Sequence, residues 1–142
     1  MFYTDNEDIL SQYTQKFKQA GVWLILTEAA YRECKNKYSF RYIGYVSHEN
    51  KNIKLYECMD VYPKIRKEII ERNIMKFKKA LSLFYSNDFY LAKNAFNEVL
   101  KENVYDEVAR WYLFSCEYNL HSNENNMSYG LFDDKVYSQS LK

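Results

Sequence analysis

The sequence predicts an α+β chain: a small antiparallel sheet with flanking helices, then a helical hairpin and a third helix. Three observations predict this. Two runs rich in Val, Ile and Tyr, Arg41–Val46 (RYIGYV) and Ile53–Cys58 (IKLYEC), suit a pleated, half-buried surface. The all-polar connector His48–Asn52 joins them as a hairpin turn would. Before them, the short apolar run Val22–Leu26 lies between Gly21 and Thr27, as expected of a strand buried on both faces. After Pro63, apolar residues recur every three to five positions, the period of a helix face.

In chain order, Thr4–Glu7 has the form of a capping box, in which the Thr hydroxyl and the Glu carboxylate satisfy each other's backbone N–H groups. Ile9, Leu10, Tyr13 and Phe17 then mark a helix that ends at Gly21, a favourable C′ residue. Thr27 is placed to cap a second helix, TEAAYREC, with Glu28 complementing its dipole. Lys35–Lys37 breaks that pattern and leads into the first hairpin strand, which begins at Tyr38 or Arg41. Asp60 is a candidate cap and Pro63 a candidate first residue for the next helix. There Ile65, Ile69, Ile70, Ile74, Phe77, Leu81 and Phe84 predict one continuous helix of about six turns. Ser86–Asp88 interrupts, and Phe89, Ala92, Phe96, Val99 and Leu100 mark a second helix. Glu102–Asn103 interrupts again before a third, with Val108, Trp111, Tyr112 and Tyr118. From His121 the composition turns polar and aperiodic, which predicts a mobile tail on which Leu131 and Phe132 are the residues able to dock. The domain reading is therefore 1–60, 61–120 and a tail from 121 to 142.

Composition narrows the function. With 20 basic and 19 acidic side chains in 142 residues, the chain lacks the charge excess that bulk nucleic-acid binding requires. No apolar run approaches the roughly 18–20 residues of a membrane span. Cys34, Cys58 and Cys116 are odd in number and widely spaced, which predicts free, mostly buried thiols in a reducing compartment. With no charged-then-apolar leader, a cytoplasmic location is expected. His48 and His121 have no Cys or His at metal-ligand spacing, so neither a metal nor a cofactor is expected, and no catalytic constellation is visible. Asp5, Glu7 and Asp8 are better explained by the helix dipole than by a metal. The basic run Lys64, Arg66, Lys67, Arg72, Lys76, Lys78 and Lys79 is interleaved by Glu68 and Glu71 and is expected to be a solvated helix face.

Two stretches resemble known families. GVWLILTEAAY, RYIGYV and IKLYE, in that order, resemble the C-terminal third of the class III adenylate/guanylate cyclase catalytic domain. The matching positions are Gly21, Ile25, Leu26, Thr27, Glu28, Tyr31, Arg41, Ile43, Gly44, Val46, Leu55, Tyr56 and Glu57. Phe77–Leu120 resembles a tetratricopeptide repeat followed by the first helix of another, with Ala80 and Ala92 at the small positions, then Phe96, Val99, Leu100 and Leu113. The signature Trp and terminal Pro of that repeat are absent. Helical extensions of this kind follow the closing strand in many bacterial cyclases of the class, so the two resemblances support one another.

The cyclase resemblance implies a domain without its chemistry. The family's paired metal aspartates, which activate the ribose hydroxyl and bridge the phosphates, would lie before Met1. Its transition-state Asn and Arg fall on Asp8 and Gln12, and the Lys-Gly pair of its last hairpin is replaced by His48–Asn52. A truncated gene product, a cloned fragment and a domain that has lost catalysis all fit. The expected function is a non-catalytic regulatory or scaffolding portion of a cyclase-like signalling protein. The alternative is a free-standing adaptor that binds a peptide through its helical half. A third is a cyclase component that completes its site with another chain. A protein partner or self-association is expected in either of the first two cases. Trp23 and Ile25 are the candidate interaction residues at an unpaired edge of the sheet, and Phe84, Phe89 and Trp111 those of the helical half. Core packing accounts equally for Phe77, Phe84, Phe89 and Phe96 and is the preferred reading of those rings.

Overall fold

The structure, a computed structural model, describes residue 11, residues 13–122 and residues 130–131. Thr4–Glu7, Asp8, Ile9, Leu10, Gln12 and Phe132, on which several expectations fell, lie outside the described residues. The chain divides into two compact units, Met1–Ile70 and Glu71–Lys142. The division falls later than the expected boundary at residue 60, because the first turns of the helix after Pro63 are fastened to residues of the first unit. Arg66 donates to the Gly21 carbonyl and Lys67 pairs with Asp60.

The first unit holds α1 (Thr14–Gln19), β1 (Ile25–Thr27), α2 (Glu28–Cys34), β2 (Phe40–His48), β3 (Lys51–Cys58) and most of α3 (Lys64–Arg72). Gly21 ends α1 as expected. It adopts φ +70°, its N–H bonds the Lys18 carbonyl, and the Val22 N–H reaches the Phe17 carbonyl, the two bonds of a Schellman cap. The three strands form one antiparallel sheet in the order β1-β3-β2. The hairpin turns through Glu49 and Asn50, both at positive φ, which matches the right-handed twist of the strands.

The RYIGYV motif encodes a β-bulge. Tyr42 pairs with Tyr56 and Gly44 with Leu55, so Ile43 is the extra residue. Gly44 sits at φ +107°, a conformation open to a residue without Cβ. The bulge resets the alternation of β2. Arg41 lies opposite Glu57 before it, and Val46 lies opposite Ile53 after it, all on one face. Without the extra residue, period-2 alternation would turn Val46 to the other face. That other face carries Leu26, Tyr42 and Tyr56, and α2 covers it by stacking Tyr31 on Tyr56 at 3.7 Å between ring centres.

Three expectations for this unit fail locally. The strand predicted over Val22–Leu26 is laddered only over Ile25–Thr27; before it, the Leu24 carbonyl accepts from the Cys58 N–H at 3.0 Å and the Trp23 N–H donates to the Tyr62 hydroxyl (3.4 Å). Thr27 stands at the N-cap of α2 but its side chain makes no capping bond. Asp60 does not cap α3 either: its carboxylate accepts from the Ser39 N–H at 2.7 Å and pairs with Lys67, and that Lys67 contact, then the Ser39 bond, hold it below the usual carboxylate range.

The second unit holds α4 (Ile74–Tyr85), α5 (Phe89–Glu102) and α6 (Glu107–His121), with α5 packed on both of the others. The single six-turn helix predicted from Ile65 to Phe84 is instead two. Asn73 leaves helical geometry (φ −99°, ψ 1°) and its buried amide donates to the Val99 carbonyl of α5 at 2.9 Å. The break removes Ile65 from the predicted apolar stripe, and it is 73% exposed. Asn87, at φ +63°, closes α4 with a second Schellman cap, and the Asp88 and Asp106 side chains cap α5 and α6 by accepting from Leu91 and Ala109 N–H groups. Helix α6 runs through His121, so the polar tail starts later than its composition suggested; Leu131 is buried.

The core of this unit converges on Tyr112. Its ring stacks on Phe96 (5.2 Å, 4°), meets Phe84 edge-on at 5.0 Å, and shares a 2.7 Å hydroxyl bond with Tyr85. Ala80, Ala92 and Val99 are fully buried beside it, whereas Leu100 and Leu113, expected in the core, are only half-buried. Ala92 has no room to grow, since a larger side chain would drive α5 from its neighbours. Ala92→Leu should therefore cost roughly 1–3 kcal/mol in urea unfolding. Lys93→Leu loses only a partly exposed pair with Glu117 and should cost less than about 1 kcal/mol. Equal midpoints for the two variants would place the close helix contact elsewhere.

Candidate functional site

Of the five residues expected at an interaction surface, the structure presents one. Trp23 is 47% exposed. Ile25 is fully buried opposite Glu57 on the sheet, so it is not available to a partner. Phe84, Phe89 and Trp111 are likewise buried. They cannot line an open peptide groove, because they fill the space that α4, α5 and α6 leave between them. Phe84 meets Phe89 at 5.5 Å, and Trp111 meets Tyr112 at 5.1 Å.

Beneath Trp23 lies a polar network that no sequence signal disclosed. Arg41 of β2 and Glu57 of β3 are 4% and 1% exposed and pair across the strands. Arg41 Nη2 and Nε donate to Glu57 Oε1 at 2.8 and 2.9 Å. The other carboxylate oxygen, Oε2, accepts from the Tyr62 hydroxyl in a very short bond. Tyr62 in turn accepts from the Trp23 N–H, and burial, then the Glu57 carboxylate, push its phenol far above the ordinary range. Outside Tyr62 lies Arg66, whose guanidinium stacks 3.8 Å over the Tyr62 ring, lies 5.6 Å from the Trp23 ring, and donates to the Gly21 carbonyl. Arg66 was expected on a solvated face; the two aromatic rings hold it half-buried instead. Arg41 and Glu57 were visible as motif positions, but a strand pattern cannot say which inward residues face one another.

The second unit carries a concave recess of about 510 Å³ between α5 and α6, lined by Asn94, Asn97, Leu100, Lys101, Val104 and Leu113 among others. Val104 and Tyr105 beside it are 56% and 85% exposed. Near it, Lys101 pairs with Glu98 at 2.8 Å and Arg110 with Glu107 at 3.4 Å.

Two of the three thiols are held in weakly reactive states. Cys34, Cys58 and Cys116 are free thiols. Burial pushes Cys116 up to about 12 and raises Cys58 too, so both stay protonated and weakly nucleophilic at neutral pH. Among the described residues, no group of three or more His, Cys, Asp or Glu side chains is placed to hold a metal ion. Also among the described residues, no helix is long and apolar enough to cross a membrane. Comparison with protein-family models, with curated proteins and with solved structures finds no match to this chain.

Removing one charge of the buried pair strands the other, so Glu57→Gln should cost roughly 3–5 kcal/mol in urea unfolding. Replacing both, Arg41→Met with Glu57→Met, should cost clearly less than the two single changes added together. Additive losses would show that the two groups do not depend on one another. A separate test uses pH. Burial, then Tyr56, Tyr45 and Glu28, push Tyr42 from 10.0 to about 12. Its phenol is neutral in both states below pH 10, and between pH 10 and 12 only the unfolded chain ionises. Stability therefore falls across that window, and Tyr42→Phe should make the fall shallower; an unchanged slope would remove Tyr42 as a contributor.

Proposed function

We propose that this chain acts as a non-catalytic regulatory or scaffolding portion of an adenylate/guanylate cyclase-like signalling protein. One observation carries the reading: the residues of the cyclase resemblance interlock as a single scaffold. Arg41 pairs with Glu57, Ile25 lies opposite Glu57, Thr27 lies opposite Leu55, Gly44 forms the bulge, and Tyr31 stacks on Tyr56. Their shared order along the sequence thus has a shared physical cause, a small sheet whose parts require one another. Their side chains are committed to packing and internal pairing rather than to an open cleft. The positions matching the family's transition-state Asn and Arg carry Asp8 and Gln12, and neither side chain supplies the cation that phosphoryl chemistry needs.

The adaptor reading keeps one specific observation in its favour. The recess of the helical unit offers Leu100, Val104 and Leu113 beside the amides of Asn94 and Asn97. That combination of apolar floor and polar wall suits a peptide.

Two measurements test the leading reading. The purified chain, given ATP or GTP with magnesium or manganese, should make no cyclic nucleotide; turnover would assign catalysis to the chain itself. Titrated into a catalytically competent class III cyclase domain, it should change that domain's turnover saturably. No change at excess chain would leave the adaptor reading in its place.

A further inference from the structure

Arg66 is more than a strut between α3 and the end of α1. Its guanidinium carbon lies 3.8 Å from the centre of the Tyr62 ring and 5.6 Å from that of Trp23, and the group donates to the Gly21 carbonyl. The residues that hold it are themselves pinned. Tyr62 is fixed by the Glu57 carboxylate and the Trp23 N–H, and Gly21 belongs to the Schellman cap of α1. A guanidinium has five N–H donors in a planar fork that matches a carboxylate, and one hydrogen bond accounts for Arg66 here. Its neighbours on α3 differ: Lys67 is taken by Asp60, and Lys64 stands 4.0 Å from Glu68. Arg66 is therefore the cation of this helix start that no carboxylate neutralises among the described residues.

Beside it, Trp23 is 47% exposed. Trp, Tyr and Arg are the side chains that dominate binding hot spots, and here all three are ordered before any partner arrives, which limits the entropy lost on binding. We infer that Trp23 and Arg66, supported from beneath by the buried Tyr62 ring, form a docking site for an acidic segment of a partner protein. A carboxylate of that segment takes the open N–H edge of Arg66, and a neighbouring apolar side chain lies on Trp23. Charge selects this occupant over nucleic acid. A phosphate backbone needs a track of unpaired cations, whereas the lysines flanking Arg66 are matched by Asp60 and Glu68. The inference rests on the surface of the first unit alone and is independent of the cyclase reading.

Trp emission of the full chain provides the test. Trp111 is buried, so a change on ligand addition reports chiefly on Trp23. The probe is a terminally blocked pentapeptide with one Phe flanked by Glu residues, compared with its Gln counterpart. The Glu peptide should give a saturable change that weakens as salt rises, and the Gln peptide should bind roughly tenfold or more weakly. Arg66→Gln should abolish the difference between the two peptides. Arg66→Lys, which keeps the charge but loses the planar fork, should bind the Glu peptide with an affinity between those of the parent and Arg66→Gln. Thermal unfolding checks that both variants fold. If Arg66→Gln does not fold, the peptide pair on the parent and the Lys variant still decide. Equal binding of the two peptides, undiminished binding by Arg66→Lys, no saturable change, or saturable binding of single-stranded oligothymidylate in place of the Glu peptide would each overturn the inference.

Discussion

An arginine and a glutamate, both almost fully withdrawn from water, face one another across β2 and β3, and the first unit is arranged around keeping them satisfied. Moving two such charges out of water costs several kcal/mol each, and their attraction offsets that only if the remaining donors and acceptors find partners. Glu57 uses one oxygen for Arg41 and the other for Tyr62. The requirement for Tyr62 reaches outward. Tyr62 must return from the end of β3 to the carboxylate, which positions the start of α3. Its hydroxyl also takes the Trp23 N–H, which fixes the chain ahead of β1. Its ring then becomes the platform on which Arg66 lies. One buried pair thereby sets the entry of a helix and the placement of a tryptophan.

This arrangement separates holding from reaching. Charges inside the sheet are consumed in pairs and contribute shape. The phenol of Tyr62 stays neutral beside a carboxylate, which lets it donate inward and support a cation outward. At the surface above this pair, Trp23 stays 47% exposed and Arg66 lies against its ring and that of Tyr62. The helical unit follows the same division. Tyr112 anchors α6 to α4 and α5 through rings and a hydroxyl bond. Its surface ion pairs lie both within helices, as Lys101 with Glu98, and between them, as Lys93 with Glu117, and the exposed Val104 and Tyr105 face solvent.

Several local features act as their chemistry dictates. The Gly at the end of α1, the polar hairpin turn, the interruption at Ser86–Asp88 and the small Ala92 each state a constraint within a few residues. Several of the misreadings concern a partner distant in sequence. The stripe from Ile65 to Phe84 has unbroken helical period, yet a carbonyl on α5 draws in the Asn73 amide and divides it. Asp60 has the right chemistry to cap a helix, yet Ser39, on the approach to β2, and Lys67 claim its carboxylate first. Val22–Leu26 is apolar throughout, yet the ladder with β3 takes in only its last two residues and Thr27. Phe84, Phe89 and Trp111 are aromatic enough for a binding surface, and only the packing of three helices shows that their rings face inward.

By itself the sequence determined the α+β class, the hairpin, the helical succession after Pro63, and the free thiols, because periodicity, turn chemistry and cysteine spacing act over short stretches of chain. It also placed Arg41, Gly44 and Glu57 in a common motif without stating their purpose. Tertiary structure alone decided that Arg41 and Glu57 are one buried pair, that Gly44 marks a bulge which carries Val46 to the same face, and that Arg66 lies between two aromatic rings beside an open indole. The physical reason is that pairing of charges and stacking of rings depend on distances of a few ångströms between residues tens of positions apart, and those distances exist only once the sheet has closed.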